Sequence, residues 1–188
     1  MTNLLDVDWS KIPAPEDDGA AGHLLGSRLP PVCLSATSGH EIDVSKTRGR
    51  CVVYVYPMTG KPDTTLPDGW DMLPGARGCT PQACAFRDHA VELKNVGAKQ
   101  LYGVSTQTSE YQREAVERLH LPFPLLSDHN LTLTKAMQLP TFEVEGKIFL
   151  KRLTMIVRNG AIEHVFYPVF PPDQNAMDVI NWLRGNTL

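Results

Sequence analysis

Residues 51–57 read CVVYVYP, and residues 75–88 read GARGCTPQACAFRD. The first stretch combines β-branched and aromatic residues, which predicts a strand buried on both faces of a sheet. The second stretch carries Cys79 and Cys84 at the start of a predicted helix. The two stretches together indicate a core strand followed by a helix that opens with a thiol.

Cys79 lies where a thiol becomes reactive. Thr80 and Pro81 resemble an N-cap and a first-turn residue, so Cys79 is expected at the mouth of the helix, beside Arg77. The positive end of a helix and its free backbone N–H groups favour the thiolate, which is the nucleophilic form. The alternative is that Cys79 is a small buried apolar side chain, the usual role of a free cysteine.

The spacing of Cys79 and Cys84 restricts how they can react with each other. Five positions along a helix separate two Cα atoms by about 8.7 Å. A disulfide requires a Cα separation below about 7 Å, whereas a C-x-x-C pair, about 5 Å apart in a helix, could close in place. Cys79 and Cys84 can therefore join only if the first helical turn unwinds.

These residues carry a resemblance to a known family. The segment GCTPQACAFRD, preceded by the strand end YVYP, resembles the active-site segment of the peroxiredoxin Q family, also called bacterioferritin comigratory protein. The match continues in LLSD (125–128), KRLTMIV (151–157), IEHVF (162–166) and DVINWL (178–183). It implies an α/β, thioredoxin-like fold, in which helices flank a central mixed β-sheet. It also implies a thiol peroxidase in which Cys79 is the peroxidatic cysteine and Cys84 the resolving one.

Two arginines match the family pattern. Arg152 corresponds to the active-site arginine of the family, and a guanidinium that stays charged can stabilise a thiolate. The alternative is a surface arginine at a strand end. Arg87 also matches, but a pairing with Asp88 or Glu92 on the helix surface explains it equally well.

One position departs from the family pattern. Peroxiredoxins carry a threonine three residues before the peroxidatic cysteine, where its hydroxyl helps to hold the peroxide, and this chain has Ala76 there. The candidates for a displaced hydroxyl are Thr59, Thr64, Thr65 and Thr80.

The resemblance implies a hydroperoxide substrate and a thioredoxin-like reductant, and the reaction requires no metal or organic cofactor. A thiol–disulfide oxidoreductase is an alternative, although the five-residue spacing argues against it because such enzymes use a pair that closes in place. A non-catalytic, redox-sensing thioredoxin-like domain is a further alternative, which Ala76 keeps open.

Composition predicts an ordinary globular protein. The 188 residues are 42 % hydrophobic and 21 % charged with a net charge of −3, which suggests neither a nucleic-acid nor a membrane partner. The cysteine and histidine spacings contain no zinc-type pattern. Residues 1–22 are rich in Pro, Gly and acidic groups and are expected to be a flexible extension, with residues 23–188 as the peroxiredoxin domain. We expect a cytoplasmic protein that is a monomer or a weak homodimer.

The remaining elements follow from periodicity and turn signals. Strands are predicted at 32–34, 41–44, 100–105, 124–126, 150–157 and 161–166, and helices at 81–96, 109–120, 130–138 and 173–184. Met58 to Gly78 form a long loop insertion at the predicted site. Its length and the apolar Trp70 and Met72 predict a lid near Cys79, with a decorative insertion as the alternative.

Overall fold

A computed structural model describes residues 7–187 and defines the elements of that part of the chain. The strands are β1 Cys33–Ala36, β2 Glu41–Asp43, β3 Arg50–Val55, β4 Ala98–Ser105, β5 Leu125–Ser127, β6 Thr141–Val144, β7 Lys147–Leu150, β8 Leu153–Arg158 and β9 Ala161–Phe166. The α-helices are α1 Cys79–Asp88, α2 Ala90–Asn95, α3 Ser109–Leu119, α4 Thr132–Met137 and α5 Asn175–Gly185. Short 3₁₀ turns lie at Trp9–Lys11, Val44–Lys46, Trp70–Met72 and Pro172–Gln174.

A seven-stranded mixed sheet organises the molecule. Its strand order is β2-β1-β5-β4-β3-β8-β9, in which β3, β4 and β5 are parallel and the other pairs are antiparallel. Strand β3 lies inside the sheet, and every one of its residues is buried. The prediction of a core strand buried on both faces is confirmed, and so is a mixed sheet with flanking helices.

Side chains of β3 alternate between two apolar cores, because successive residues of a strand point to opposite faces. Cys51 and Val53 belong to one core, together with residues of α4 and the β1–β2 hairpin. Val52 and Tyr54 belong to the other, which packs against α1, α2, α3 and α5. The helix that begins at Cys79 is thus seated on the centre of the sheet.

Several predicted boundaries are wrong. The helix predicted at 81–96 is two helices, because its first segment ends at Asp88 and a second begins at Ala90. The strand predicted at 150–157 is also divided, into β7 and β8, and the β6–β7 hairpin was not predicted. The Asn159–Gly160 pair joins β8 to β9 in a tight turn, and both residues have positive φ, as this type of turn requires.

The insertion at residues 58–78 folds against the β6–β7 hairpin. Trp70 is buried with Ala76 and Phe149, and its ring lies 5.0 Å from that of Phe149 between centroids. Met72, which was also expected to pack, is exposed. The hairpin supplies the apolar surface that the insertion needs, and this partner is distant in sequence.

The segment predicted to be a flexible extension makes specific contacts. Residues 1–6 lie outside the described residues. The N-terminal strap, residues 7–18, reaches the rest of the fold through Trp9, whose indole donates to Asp173, and through Asp18, which pairs with Lys151 at 2.6 Å. Further along, Ala21 and Leu24 are buried in the first core. The domain boundary at residue 22 stays a prediction.

Candidate active site

The site begins where α1 starts. Cys79 is the first residue of this ten-residue helix, and the expectation that it lies at the helix mouth is confirmed. The N-cap is not Thr80, as predicted, but Gly78, whose φ of 105° is left-handed. A glycine adopts this conformation without steric cost, so the chain turns directly into Cys79. The backbone N–H groups of the first turn have no partner within the helix and lie beside the thiol.

Arg152 reaches this thiol from the break between β7 and β8. Its Nη2 atom lies 3.2 Å from the Sγ atom of Cys79, and the same nitrogen donates to the carbonyl of Arg77 at 3.1 Å. The residue is buried. The guanidinium thus places a charged hydrogen-bond donor against the sulfur.

Buried polar side chains hold the arginine in place. The Nη1 atom of Arg152 donates to Gln82, and Gln82 donates through Nε2 to Asn175 at 3.0 Å. Thr154 donates to the same Asn175 oxygen at 2.7 Å. Asn175 Oδ1 accepts both hydrogen bonds. The Gln82 amide is therefore oriented with its Nε2 atom toward Asn175 and its Oε1 atom toward Arg152. The sequence motif GCTPQACAFRD contains Gln82, but nothing in the neighbouring sequence indicates that its side chain contacts Arg152 and Asn175.

The thiol of Cys84 has a different environment. It lies on α1 and is buried, and this burial raises its pKa, although nearby Arg87 partly opposes the shift. The surface pairing considered for Arg87 is present, because its Nε atom donates to Asp88 at 2.8 Å. Cys79 and Cys84 are both free thiols, and five positions of helix place their Cα atoms about 8.7 Å apart.

A cavity of about 190 Å³ gives access to Cys79. The insertion contributes Met58, Leu66 and Trp70 to its wall. The insertion therefore lies beside the thiol, where the lid prediction places it, and its role as a lid stays a prediction. A larger groove of about 760 Å³ lies next to it, shares Met58 and Leu66, and does not include Cys79.

The four threonines that are candidates for the displaced hydroxyl lie in different places. Thr80 is buried and lines the Cys79 cavity. Thr64 and Thr65 line the neighbouring groove instead, and Thr59 is buried beside Gln107, to which its backbone N–H donates. Ala76 contributes its carbonyl oxygen, 3.7 Å from the Cys79 sulfur.

Two further side chains near α1 have partners other than the thiol. The guanidinium of Arg77 pairs with Asp71 at 3.2 Å, and His89 lies beyond the far end of α1, where it contacts Glu92 at 3.1 Å.

Within residues 7–187, no three His, Cys, Asp or Glu side chains are grouped to hold a metal ion, and no helix is long and apolar enough to cross a membrane.

Comparisons with known proteins assign the family. A family model described as Redoxin matches residues 24–180. The chain is 30 % identical over 161 residues to a chloroplastic peroxiredoxin Q of Sedum lineare, covering 85 % of this chain and 77 % of that one. The chain belongs to the peroxiredoxin Q family. The predicted identity as a thiol peroxidase of this family is therefore confirmed.

Solved structures agree with this peroxiredoxin assignment. The crystal structure of peroxidoxin BcpB from Mycobacterium tuberculosis superposes with a TM-score of 0.71 at 26 % identity, over 87 % of this chain and 98 % of that one. A Xanthomonas campestris peroxiredoxin Q has a TM-score of 0.66 at 21 % identity, over 82 % and 90 %. The predicted thioredoxin-like fold is confirmed.

Proposed function

We propose that Cys79 is the peroxidatic cysteine and that it reduces hydrogen peroxide and organic hydroperoxides. The contact of 3.2 Å between Arg152 Nη2 and Cys79 Sγ is the observation that carries this proposal. A buried guanidinium and a helix N-terminus act together on one sulfur, and both favour the thiolate that attacks. Thr80, in the wall of the same cavity, is the candidate for holding the peroxide oxygens in place of the usual threonine.

The first step is a two-electron oxidation of the sulfur. The Cys79 thiolate attacks the terminal oxygen of the hydroperoxide, so an S–O bond forms while the O–O bond breaks. The sulfur becomes a sulfenic acid. The departing oxygen takes up a proton and leaves as an alcohol, or as water when the substrate is hydrogen peroxide.

We propose that Cys84 then resolves the sulfenic acid. Its thiol attacks the Cys79 sulfur, the S–O bond breaks, water leaves and an intramolecular disulfide forms. The two sulfurs can meet only after the start of α1 unwinds, from about Gly78 to Phe86. Phe86 is buried and stacks on Tyr54 with ring centroids 4.6 Å apart, so this packing must be released.

A thioredoxin-like dithiol is the reductant in this scheme. Its two thiols exchange with the Cys79–Cys84 disulfide, restore both thiols of the enzyme and leave as a disulfide. The alternative of a thiol–disulfide oxidoreductase is disfavoured by the geometry, because the pair does not close in place. The alternative of a non-catalytic sensor predicts oxidation without turnover.

Peroxide consumption with a thioredoxin system tests the scheme. Cys79→Ser should abolish consumption, and Cys84→Ser should still react once with peroxide but fail to turn over with thioredoxin. Cys33→Ser and Cys51→Ser are the matched controls and should keep activity. Full activity in Cys79→Ser would contradict the assignment, and a disulfide from Cys79 to Cys33 or Cys51 by mass spectrometry would exclude Cys84 as the resolving residue.

We further propose a cytoplasmic location and a monomer or weak homodimer, both of which rest on the sequence. Cell fractionation tests the first, and sedimentation of the reduced and oxidised protein tests the second.

A further inference from the structure

The N-terminal strap lies directly over the segment that must rearrange, although the matched family region begins only at residue 24. Val7 lines the cavity of Cys79. Trp9 packs edge-on against Phe170, with ring centroids 5.9 Å apart, and its indole Nε1 donates to Asp173 at 2.9 Å. The strap is thus anchored to the turn that precedes α5.

Gly78 is enclosed between the strap and that turn. A Cβ atom at Gly78 would lie 2.8 Å from the Trp9 ring and 2.6 Å from Pro172, so both side chains are in contact with the backbone of this residue. Gly78 is also the N-cap of α1. Movement of the Gly78 backbone toward the strap or toward that turn therefore has to displace Trp9 or Pro172.

We infer that Trp9 is a positioning residue, which holds the start of α1 in its folded, peroxide-reactive form and slows the capture of oxidised Cys79 by Cys84. This inference rests on the proposed function, because capture requires the first turns of α1 to unwind. Trp9 contacts the N-cap and not the reacting sulfurs, so it acts on the unwinding equilibrium. A slower capture lengthens the life of the sulfenic acid, which a second peroxide oxidises to sulfinic acid.

The test separates the two chemical steps. Reduced protein is mixed rapidly with hydrogen peroxide and quenched with acid, and mass spectrometry measures thiol, sulfenic, disulfide and sulfinic forms over time. In Trp9→Ala the conversion of sulfenic acid to disulfide should accelerate about tenfold, as expected for losing one hydrogen bond and the packing of one ring. The first oxidation should not accelerate. The yield of sulfinic acid at high peroxide should fall.

Matched variants distinguish positioning from general destabilisation. Trp9→Phe keeps a ring over Gly78 and should lie between the native protein and Trp9→Ala. Lys11→Ala changes the same 3₁₀ turn at a side chain that is 81 % exposed, and it should match the native protein. Asp173→Ala removes the acceptor of the indole and should accelerate disulfide formation to a smaller extent, which keeps the test available if Trp9→Ala does not fold.

The outcomes are distinct. A disulfide rate within about twofold of native in both Trp9→Ala and Asp173→Ala, against the tenfold effect expected from the lost contacts, would overturn the inference. So would an equal acceleration in Lys11→Ala. If Cys79 of the native protein does not react with peroxide, the proposed function itself fails, whereas normal sulfenic acid formation with unchanged capture refutes only the role of Trp9.

Discussion

Cys51 and Cys79 are both buried thiols, with 0 % and 4 % of their surfaces exposed, yet their environments are opposite. Cys51 lies in β3 within an apolar core, and burial raises its pKa to about 12. Cys79 opens a helix and has the guanidinium of Arg152 in contact with its sulfur. Burial alone thus keeps a thiol protonated and inert. The same degree of burial supports nucleophilic chemistry only where a cation and free N–H groups accompany it.

Removing the Arg152 guanidinium from the Cys79 sulfur should give the largest change in the rate of Cys79 oxidation. Arg152→Ala is expected to lower the rate of Cys79 oxidation by about 10²-fold, because a buried charged donor to the sulfur is lost. Stopped-flow measurement of the first oxidation step at neutral pH tests this expectation.

Arg50 offers the matched control for this variant. It is also buried, it begins β3, and its Nε atom pairs with Glu163 at 2.7 Å. Arg50→Ala should lower the free energy of unfolding but leave the rate of Cys79 oxidation near native. Equal losses of rate in both variants would mean that Arg152 acts only through stability.

A smaller loss of Cys79 oxidation rate is expected when the hydrogen bonds that hold Arg152 in place are disrupted. Asn175→Ala leaves Gln82 Nε2 and the Thr154 hydroxyl without their shared acceptor, so stability should fall by about 2 kcal/mol. Gln82 can then rotate away from Arg152, and Cys79 oxidation should slow severalfold. Asn175→Asp keeps an acceptor oxygen and should recover part of the rate, which a purely structural loss would not show.

At Cys51 the expected effect is on the pH dependence of stability and not on the rate of peroxide reduction. Its pKa is raised from 9.0 to about 12 on folding, so the folded state holds the proton more tightly than the unfolded state. The resulting stability is complete below pH 9 and is lost as pH rises toward 12. Between these values the free energy of unfolding should fall by up to about 1.4 kcal/mol per pH unit through this thiol.

Denaturant unfolding at pH 8 to 11 measures this slope. Cys51→Val fills a similar volume without a titrating group and should flatten the dependence. Cys33→Ser changes an exposed thiol and serves as the control, with a slope close to native. An unchanged slope in Cys51→Val would show that Cys51 does not hold its proton in the folded protein.

Local signals in the sequence were sufficient to predict the core strand, the helix that begins at Cys79 and the incompatibility of Cys79 and Cys84 with a disulfide inside a helix. These features depend on backbone propensities and helical geometry, which act over a few residues. The family resemblance added Arg152. The N-cap was misassigned because Thr80 and Pro81 also fit a helix start, whereas the left-handed turn at Gly78 decided the boundary.

Only the tertiary structure decided which distant groups meet at the thiol. Arg152 follows Cys79 by 73 positions, and Asn175 follows Gln82 by 93, so no periodic pattern connects them. The contact between Trp9 and Asp173 spans 164 positions. Such contacts arise when the sheet brings its strand ends together and packing selects among many possible partners. The sequence by itself therefore indicated that Cys79 lies at the mouth of a helix, whereas the fold determined where that helix begins and which charged group meets the sulfur.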